Sequence, residues 1–236
     1  MTVEPVVTVT SYDRWRATTL GRITERVEVE RVFALAGDVA GKRVLDVGTG
    51  DGTYAIEAAL RGAHVSGVDP QTSMLDAAAA RARARSVSVG FERATAEALP
   101  FPDETFDVAL AVTVLCFVKD PAVAIRDIAR TLRPGGRLVI GELSRSSIWA
   151  LSRRVRGWLG SSLWGTARFW SRGALRRLVR EAGLVPAAST SCIYFPPMAL
   201  AARVIEPLEP ALRGLHTPGA AFIAIAADKQ PRNGAR

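Results

Sequence analysis

Val44-Leu45-Asp46-Val47-Gly48-Thr49-Gly50-Asp51-Gly52-Thr53 is an apolar run that closes in three glycines at alternate positions. A buried strand that turns sharply into a helix has this form. Glycine accepts backbone angles that other residues resist, and it lets the main chain come close to a ligand. Asp46 sets a carboxylate near the strand end, beside that bare backbone. Further along, a second short strand, Ala63-His64-Val65-Ser66-Gly67-Val68, is closed by Asp69, 21 residues after Gly48. The spacing suits a strand–helix–strand unit whose two strand ends lie along one edge of a parallel sheet. A carboxylate there can accept both hydrogens of a ribose diol.

The dinucleotide fingerprint is G-x-G-x-x-G, with a helix N-terminus facing a pyrophosphate. Here the spacing is G-x-G-x-G and Asp51 lies inside the turn. A carboxylate aimed at a pyrophosphate repels it. A nucleoside-type ligand with a ribose and a cationic end fits better, because Asp46 can then face an ammonium group. The alternatives left by these residues are a dinucleotide site and a tight turn that binds nothing, its acids solvated or capping helices.

Four further segments follow in order: Gly67-Val68-Asp69, Ala96-Glu97-Ala98-Leu99-Pro100-Phe101, Phe106-Asp107-Val108 and Leu132-Arg133-Pro134-Gly135-Gly136. With the glycine turn they resemble a class I S-adenosylmethionine-dependent methyltransferase, of the broad bacterial group similar to the quinone-biosynthesis C-methyltransferases. The resemblance runs from Tyr12 to about Ala227. It implies an α/β, Rossmann-like fold: a seven-stranded, mostly parallel sheet with an antiparallel last strand and helices on both faces. It implies S-adenosyl-L-methionine as cofactor, S-adenosyl-L-homocysteine as product, and a small-molecule methyl acceptor that is quinone-like, phenolic or a natural product.

The same resemblance assigns residues. Asp46, Gly48, Thr49 and Gly50 meet the methionine end, and Asp69 holds the ribose with Pro70 beside it. Thr95, Ala96 and Glu97 frame the adenine, with Leu99 over the ring. An acid often stands where this chain has Thr95, whose hydroxyl can accept a hydrogen bond without charge. The main chain near Val112 accepts from the cofactor's amino group, and Tyr12 sits in an N-terminal lid. No general base is identified; Tyr12, Asp13 and Glu142 are candidates only from their places in the order of elements. Two alternative functions stand beside this one: a methyltransferase acting on a lipid at the membrane surface, and a cofactor-binding protein without transferase activity.

Composition bounds the rest. A chain of 236 residues with 48% hydrophobic residues suits a single methyltransferase domain. Within it, residues 1–36 form the expected lid, 144–170 a helical insertion over the active site, and 228–236 a flexible tail. Cys116 and Cys192 stand far apart, as do His64 and His216, so neither a metal site nor a disulfide framework is expected. Cys116 reads as a small buried hydrophobe rather than a substrate contact. Reduced cysteines and an acid-containing start at Met1–Thr10 point to the cytoplasm. The longest apolar run, Val108 to Val118, falls short of the ~20 residues of a membrane span. A net charge of +8 raises nucleic-acid binding. The basic residues, however, are mostly arginines spread among alanines and leucines, so nucleic acid is not the expected partner.

The remaining elements follow from caps and periodicity. Helices are expected at Ile23–Leu35, stopped by Gly37, and at Thr53–Leu60. Another opens on Ser73-x-x-Asp76, read as a capping box. A fourth follows Asp120-Pro121, and a fifth follows Ser171 over Arg172–Ala182. Strands are expected at Val87–Glu92, Val108–Val114, Arg137–Glu142, Ala188–Phe195 and Ala220–Ala227. Ser144 to Arg180 carries Trp149, Trp158, Trp164 and Trp170 with nine arginines. It reads as an amphipathic helix pair packed on the domain, with peripheral membrane contact through 144–180 as the alternative.

Overall fold

The computed structural model describes residues 14–159, 164, 166–214 and 218–232. Helix α1 runs Thr19–Ala36. It starts four residues before the expected Ile23 because the Thr18 hydroxyl accepts from the Gly21 amide, and Gly37 ends it at φ 75°. Then follow β1 (Arg43–Val47), α2 (Thr53–Leu60), β2 (His64–Asp69), α3 (Thr72–Ala84), β3 (Val89–Arg93), β4 (Phe106–Val112), α4 (Pro121–Thr131) and β5 (Leu132–Leu143). Beyond β5 come α5 (Ile148–Trp158), α6 (Arg172–Glu181), β6 (Leu184–Cys192), α7 (Ala199–Ile205), a 3₁₀ turn (Glu206–Leu208), α8 (Glu209–Gly214) and β7 (Phe222–Lys229).

The strands form one seven-stranded sheet in the order β3-β2-β1-β4-β5-β7-β6. β1 through β5 pair in parallel, and β7 is antiparallel to both β5 and β6. The expected seven-stranded fold with its antiparallel last strand is therefore present. Two hydrophobic layers flank the sheet, and alternate strand residues feed them. Val44, Val108 and Val139 pack with Val27, Phe33 and Ala55 on one face. Leu45, Ala109 and Ile140 pack with Ile125, Ile128, Leu175 and Val179 on the other. Burial on both faces explains why these strands read as continuous apolar runs rather than alternating ones.

Local caps fix the helix ends. Asp120 accepts from the Ala122 and Val123 amides at the start of α4, a cap that stabilises by about 1 kcal/mol. Ser171 does the same for α6 through the Ala174 amide. The capping box expected at Ser73 does not form. Helix α3 starts one residue earlier, at Thr72 after Gln71, and no side chain caps it. The Gln71 amide instead donates to Asp69 at 2.9 Å.

The expected tail also needs correction at its start. Asp228 and Lys229 belong to β7. Arg137 donates to both oxygens of Asp228, at 2.7 and 3.0 Å. Lys229 Nζ donates to the carbonyls of Ala129 and Leu132, at 2.9 and 2.7 Å, closing the C-terminal end of α4. Between β6 and β7 the sequence shows only an apolar stretch with prolines, yet the chain is helical there. Pro207 and Pro210 sit in opening turns, where a missing amide costs no hydrogen bond.

Within 144–170, where a helical insertion is expected, Ile148–Trp158 form α5, capped by the Ser147 hydroxyl. Its expected partner helix falls partly on residues outside the described ones.

Candidate cofactor site

The chain moves from β1 outward to β2 and β3, then returns to place β4 on the other side of β1. A crevice opens outside the carboxyl ends of the strands at such a reversal, and ligands of α/β sheets bind there. The glycine turn leaves β1 at this point. Gly48, Gly50 and Gly52 have φ of 66°, 55° and 84°, all in the left-handed region. A side chain at Gly48 would meet Val114 Cγ2 at 2.5 Å, and one at Gly52 would meet Ala78 Cβ at 3.0 Å. Among the described residues nothing lies within 4 Å of a side chain built at Gly50. Two of the glycines thus allow close packing, and the middle one leaves its main chain uncovered by the described residues.

The turn is tied to both acids. The Thr49 amide donates to the Val68 carbonyl at 2.8 Å, and the Thr49 hydroxyl donates to Asp46 Oδ2 at 2.7 Å. Asp69 accepts from the Gly50 amide through Oδ2 at 3.0 Å and from the Gln71 amide through Oδ1. Asp46 is buried, and burial pushes its carboxyl up to about 7, against the stabilising Thr49 hydroxyl and Ala55 amide. Burial also raises Asp69, opposed by its two amide donors. Asp46, Thr49, Gly50 and Asp69 therefore form one hydrogen-bonded frame, with Gly48 in the same turn. Pro70 follows it, exposed, with its carbonyl accepting from Arg93 Nε.

Asp51 does not present a bare charge to the crevice. It is buried, with Arg16 Nη2 at 2.5 Å and Arg81 Nη1 at 2.7 Å. The expected repulsion between Asp51 and a pyrophosphate is neutralised by these guanidiniums; the glycine spacing and Asp46 remain as the features that favour a cationic nucleoside. Arg16 also reaches Glu25 at 2.9 Å and the Thr53 hydroxyl at 3.0 Å. Arg81 adds a hydrogen bond to the Asp51 carbonyl at 2.9 Å. This clasp joins the segment before α1 and the helix α3 to the turn. Sequence reasoning missed Arg16 and Arg81, because neither carries a motif and each is at least 30 residues from Asp51 along the chain. Tyr12 lies outside the described residues.

After β3, Thr95 is exposed and bridges to Ala98, while Ala96 and Leu99 are buried. Glu97 is turned toward the connection before α4. Its Oε1 accepts from the Lys119 and Asp120 amides at 3.1 and 3.4 Å. The loop is held from behind by two residues without a sequence signal. Asp127 accepts from the Leu99 amide at 2.6 Å, and Arg130 donates to the Phe101 and Leu99 carbonyls at 2.7 and 3.2 Å.

At the end of β4, Val112 is buried and Thr113 adopts φ 52°, an uncommon conformation for a β-branched residue. The Thr113 amide donates to the Gly141 carbonyl at 2.7 Å. Cys116 is buried, as expected of a small hydrophobe, with its Sγ 3.3 Å from the Thr113 carbonyl. Glu142 is fully buried, and its Oε1 accepts from the Leu115 amide at 2.7 Å. Burial pushes Glu142 up to about 8. Among the described residues no His, Cys, Asp or Glu cluster could hold a metal, and no helix is long and apolar enough to cross a membrane.

The profile of a methyltransferase domain family matches residues 45–140, from the middle of β1 through most of β5. The chain is 34% identical over 220 residues to an uncharacterised protein of Mycobacterium tuberculosis, spanning 93% of this chain and 72% of that one. It is 33% identical over 175 residues to a ubiquinone biosynthesis O-methyltransferase of Maricaulis maris, spanning 70% of this chain and 68% of the relative. Among solved structures, an S-adenosylmethionine-dependent methyltransferase of Thermotoga maritima, described as a possible histamine N-methyltransferase, superposes with a TM-score of 0.73 at 27% identity. That match covers 94% of this chain and 96% of the other.

Proposed function

This chain belongs to the class I S-adenosylmethionine-dependent methyltransferases, and from that premise we propose that it methylates a small quinone-like, phenolic or natural-product acceptor. The hydrogen-bonded frame of Asp46, Thr49, Gly50 and Asp69 beneath open space carries the reading. When bound, S-adenosylmethionine would supply a sulfonium-bound methyl group whose carbon is open to in-line attack by a nucleophilic atom of the acceptor, with S-adenosylhomocysteine as the leaving group.

The residues fit such a ligand. Each Asp69 oxygen accepts one amide and keeps lone-pair capacity for a ribose hydroxyl. Asp46 is held near neutrality by burial, so a cationic amino group beside it is the partner that favours ionisation. Gly50 admits the ligand against the main chain. Pro70, Thr95, Ala96 and Glu97 border the nucleoside in this assignment, the main chain near Val112 accepts from the cofactor's amino group, and Glu97 takes part through its main chain because its carboxylate is engaged elsewhere. Tyr12 would close from the N-terminal side, with Arg16 anchoring that segment to the turn.

For catalysis, positioning and exclusion of water are the chain's contribution. Glu142 has no exposed surface and shapes the 113–116 turn, so it is not placed to take a proton from an acceptor directly. The relative named for ubiquinone biosynthesis supports a phenolic or quinone-like acceptor.

Calorimetric titration with S-adenosylmethionine, S-adenosylhomocysteine and NAD tests the first half. Micromolar binding of the first two and none of NAD is expected; binding of NAD alone overturns it. A panel of phenols, quinols and natural products with methyl-labelled cofactor tests the second. Cofactor binding with no transfer to any acceptor would point instead to a binding protein without transferase activity.

A further inference from the structure

Nine arginines lie between residues 144 and 180, with neither an acid nor a lysine among them. The rest of the chain holds 22 basic residues against 23 acidic ones, so the whole positive excess resides in this segment. It is not spread along the chain, as a first reading of composition suggests.

Helix α5 belongs to this segment and is apolar on two sides. Trp149 and Ala150 are buried, and Trp149 Nε1 donates to the Phe195 carbonyl at 2.8 Å. On the other side Ile148, Leu151, Val155, Trp158 and Leu159 are exposed; Trp158 and Leu159 keep 83% and 81% of their surface. Their spacing is that of one helical stripe. Helix α7 repeats the arrangement. Ala202 is buried, while Leu200, Val204 and, in the following turn, Leu208 are exposed, with Met198 beside them. Both helices rest on the same core cluster, which contains Trp149, Phe195 and Ala202. Soluble surfaces rarely leave so many large apolar side chains open unless something covers them.

Both helices also follow the same edge of the sheet. Helix α5 leaves the carboxyl end of β5, and α7 follows the end of β6, which runs in the direction of β5 because β7 is antiparallel to both. This is the edge that carries the glycine turn.

We propose that α5 and α7 dock this protein on an anionic lipid bilayer, their exposed apolar sides in the interface and the flanking arginines on lipid phosphates. Charge selects this occupant. A second copy would bring the same acid-free, arginine-rich segment against itself, whereas an anionic bilayer is complementary to it. Tryptophan and arginine are also the side chains that settle at headgroup depth. Given the methyltransferase reading above, this docking turns the acceptor side of the cofactor crevice toward a bilayer, from which an apolar acceptor can enter.

The test is sedimentation of the full chain with vesicles of phosphatidylcholine alone or mixed with phosphatidylglycerol, at low and physiological salt. Binding to the phosphatidylglycerol vesicles, weakened by salt and slight with phosphatidylcholine, is expected. The paired variants Trp158→Ser/Leu159→Ser and Leu200→Ser/Val204→Ser should each bind roughly tenfold more weakly or worse. Arg154→Glu/Arg156→Glu should lose binding to the anionic vesicles. All these sites are exposed, so unchanged thermal melting and unchanged affinity for S-adenosylmethionine verify that the variants fold. Absence of sedimentation with either vesicle overturns the proposal, as does binding that both apolar pairs leave unaltered. A concentration-dependent dimer that the serine variants abolish, without vesicle binding, would assign the surface to a second copy and also overturn it. Cofactor titration of the same preparations separates this outcome from failure of the methyltransferase reading.

Discussion

Asp46 and Asp69 belong to successive strands, 23 residues apart in sequence, yet hold adjacent residues of one turn, Thr49 and Gly50. Their expected roles differ. Asp69→Ala removes the acceptor for the ribose and should weaken S-adenosylmethionine binding by about 1.5–3 kcal/mol, measured by calorimetry. Unchanged affinity would exclude Asp69 from the ribose site. Asp46 ionises at about 7 in the folded protein, against a normal 3.8. Pairing with a cationic amino group favours its ionised form. Affinity should therefore climb as pH rises from 6 to 8 and then level, and Asp46→Asn should weaken binding and flatten that profile. A profile unaltered in Asp46→Asn would assign the dependence to another group.

At the scale of the element, the glycines of the turn separate packing from ligand access. Gly48→Ala forces a methyl against Val114 in a left-handed conformation and should destabilise the fold by roughly 2–4 kcal/mol. Gly50→Ala meets no neighbour among the described residues. It should cost only about 1–2 kcal/mol in stability while affecting cofactor affinity more, because the methyl enters the ligand's space. Denaturant titration and calorimetry on the two variants give opposite rankings if this division is right. The clasp is a second element-scale device. Arg16 and Asp51 are both largely buried, so a double-mutant cycle with Arg16→Ala and Asp51→Asn should show a coupling energy of roughly 0.5–3 kcal/mol. A coupling near zero would mean that Arg81 alone neutralises Asp51.

For the whole molecule, two buried carboxyls at the sheet's carboxyl edge set a pH dependence of stability. Asp46 rises from 3.8 to about 7 and Glu142 from 4.5 to about 8 on folding. The folded state holds these protons more tightly than the unfolded chain, so their contribution is full below about pH 4 and is lost as pH rises through 7 and 8. Between pH 5 and pH 8 the melting temperature should fall, and Glu142→Gln should reduce the slope. A melting temperature that rises over this range would show that other groups dominate.

The parallel core, the glycine turn, the acids at both strand ends and the caps at Asp120 and Ser171 were legible along the chain. Each rests on backbone conformation or on periodicity, which neighbouring residues impose locally. Resemblance to a family added the cofactor and the antiparallel last strand. What surrounds the turn was not legible. Arg16 and Arg81 meet Asp51, Asp127 holds the loop at Leu99, and Lys229 closes α4. None of these pairs has a spacing that sequence can recognise, since the sheet order brings them together. The open apolar sides of α5 and α7 were not legible either; only the tertiary structure shows that the core beneath is already filled by Trp149, Ala150 and Ala202, which leaves the second stripe facing outward. Sequence by itself determined the local conformations and the chemistry at the strand ends. Tertiary structure alone decided which charges are neutralised and which apolar faces stay open, because burial and pairing depend on distances that the chain sets only once it has folded.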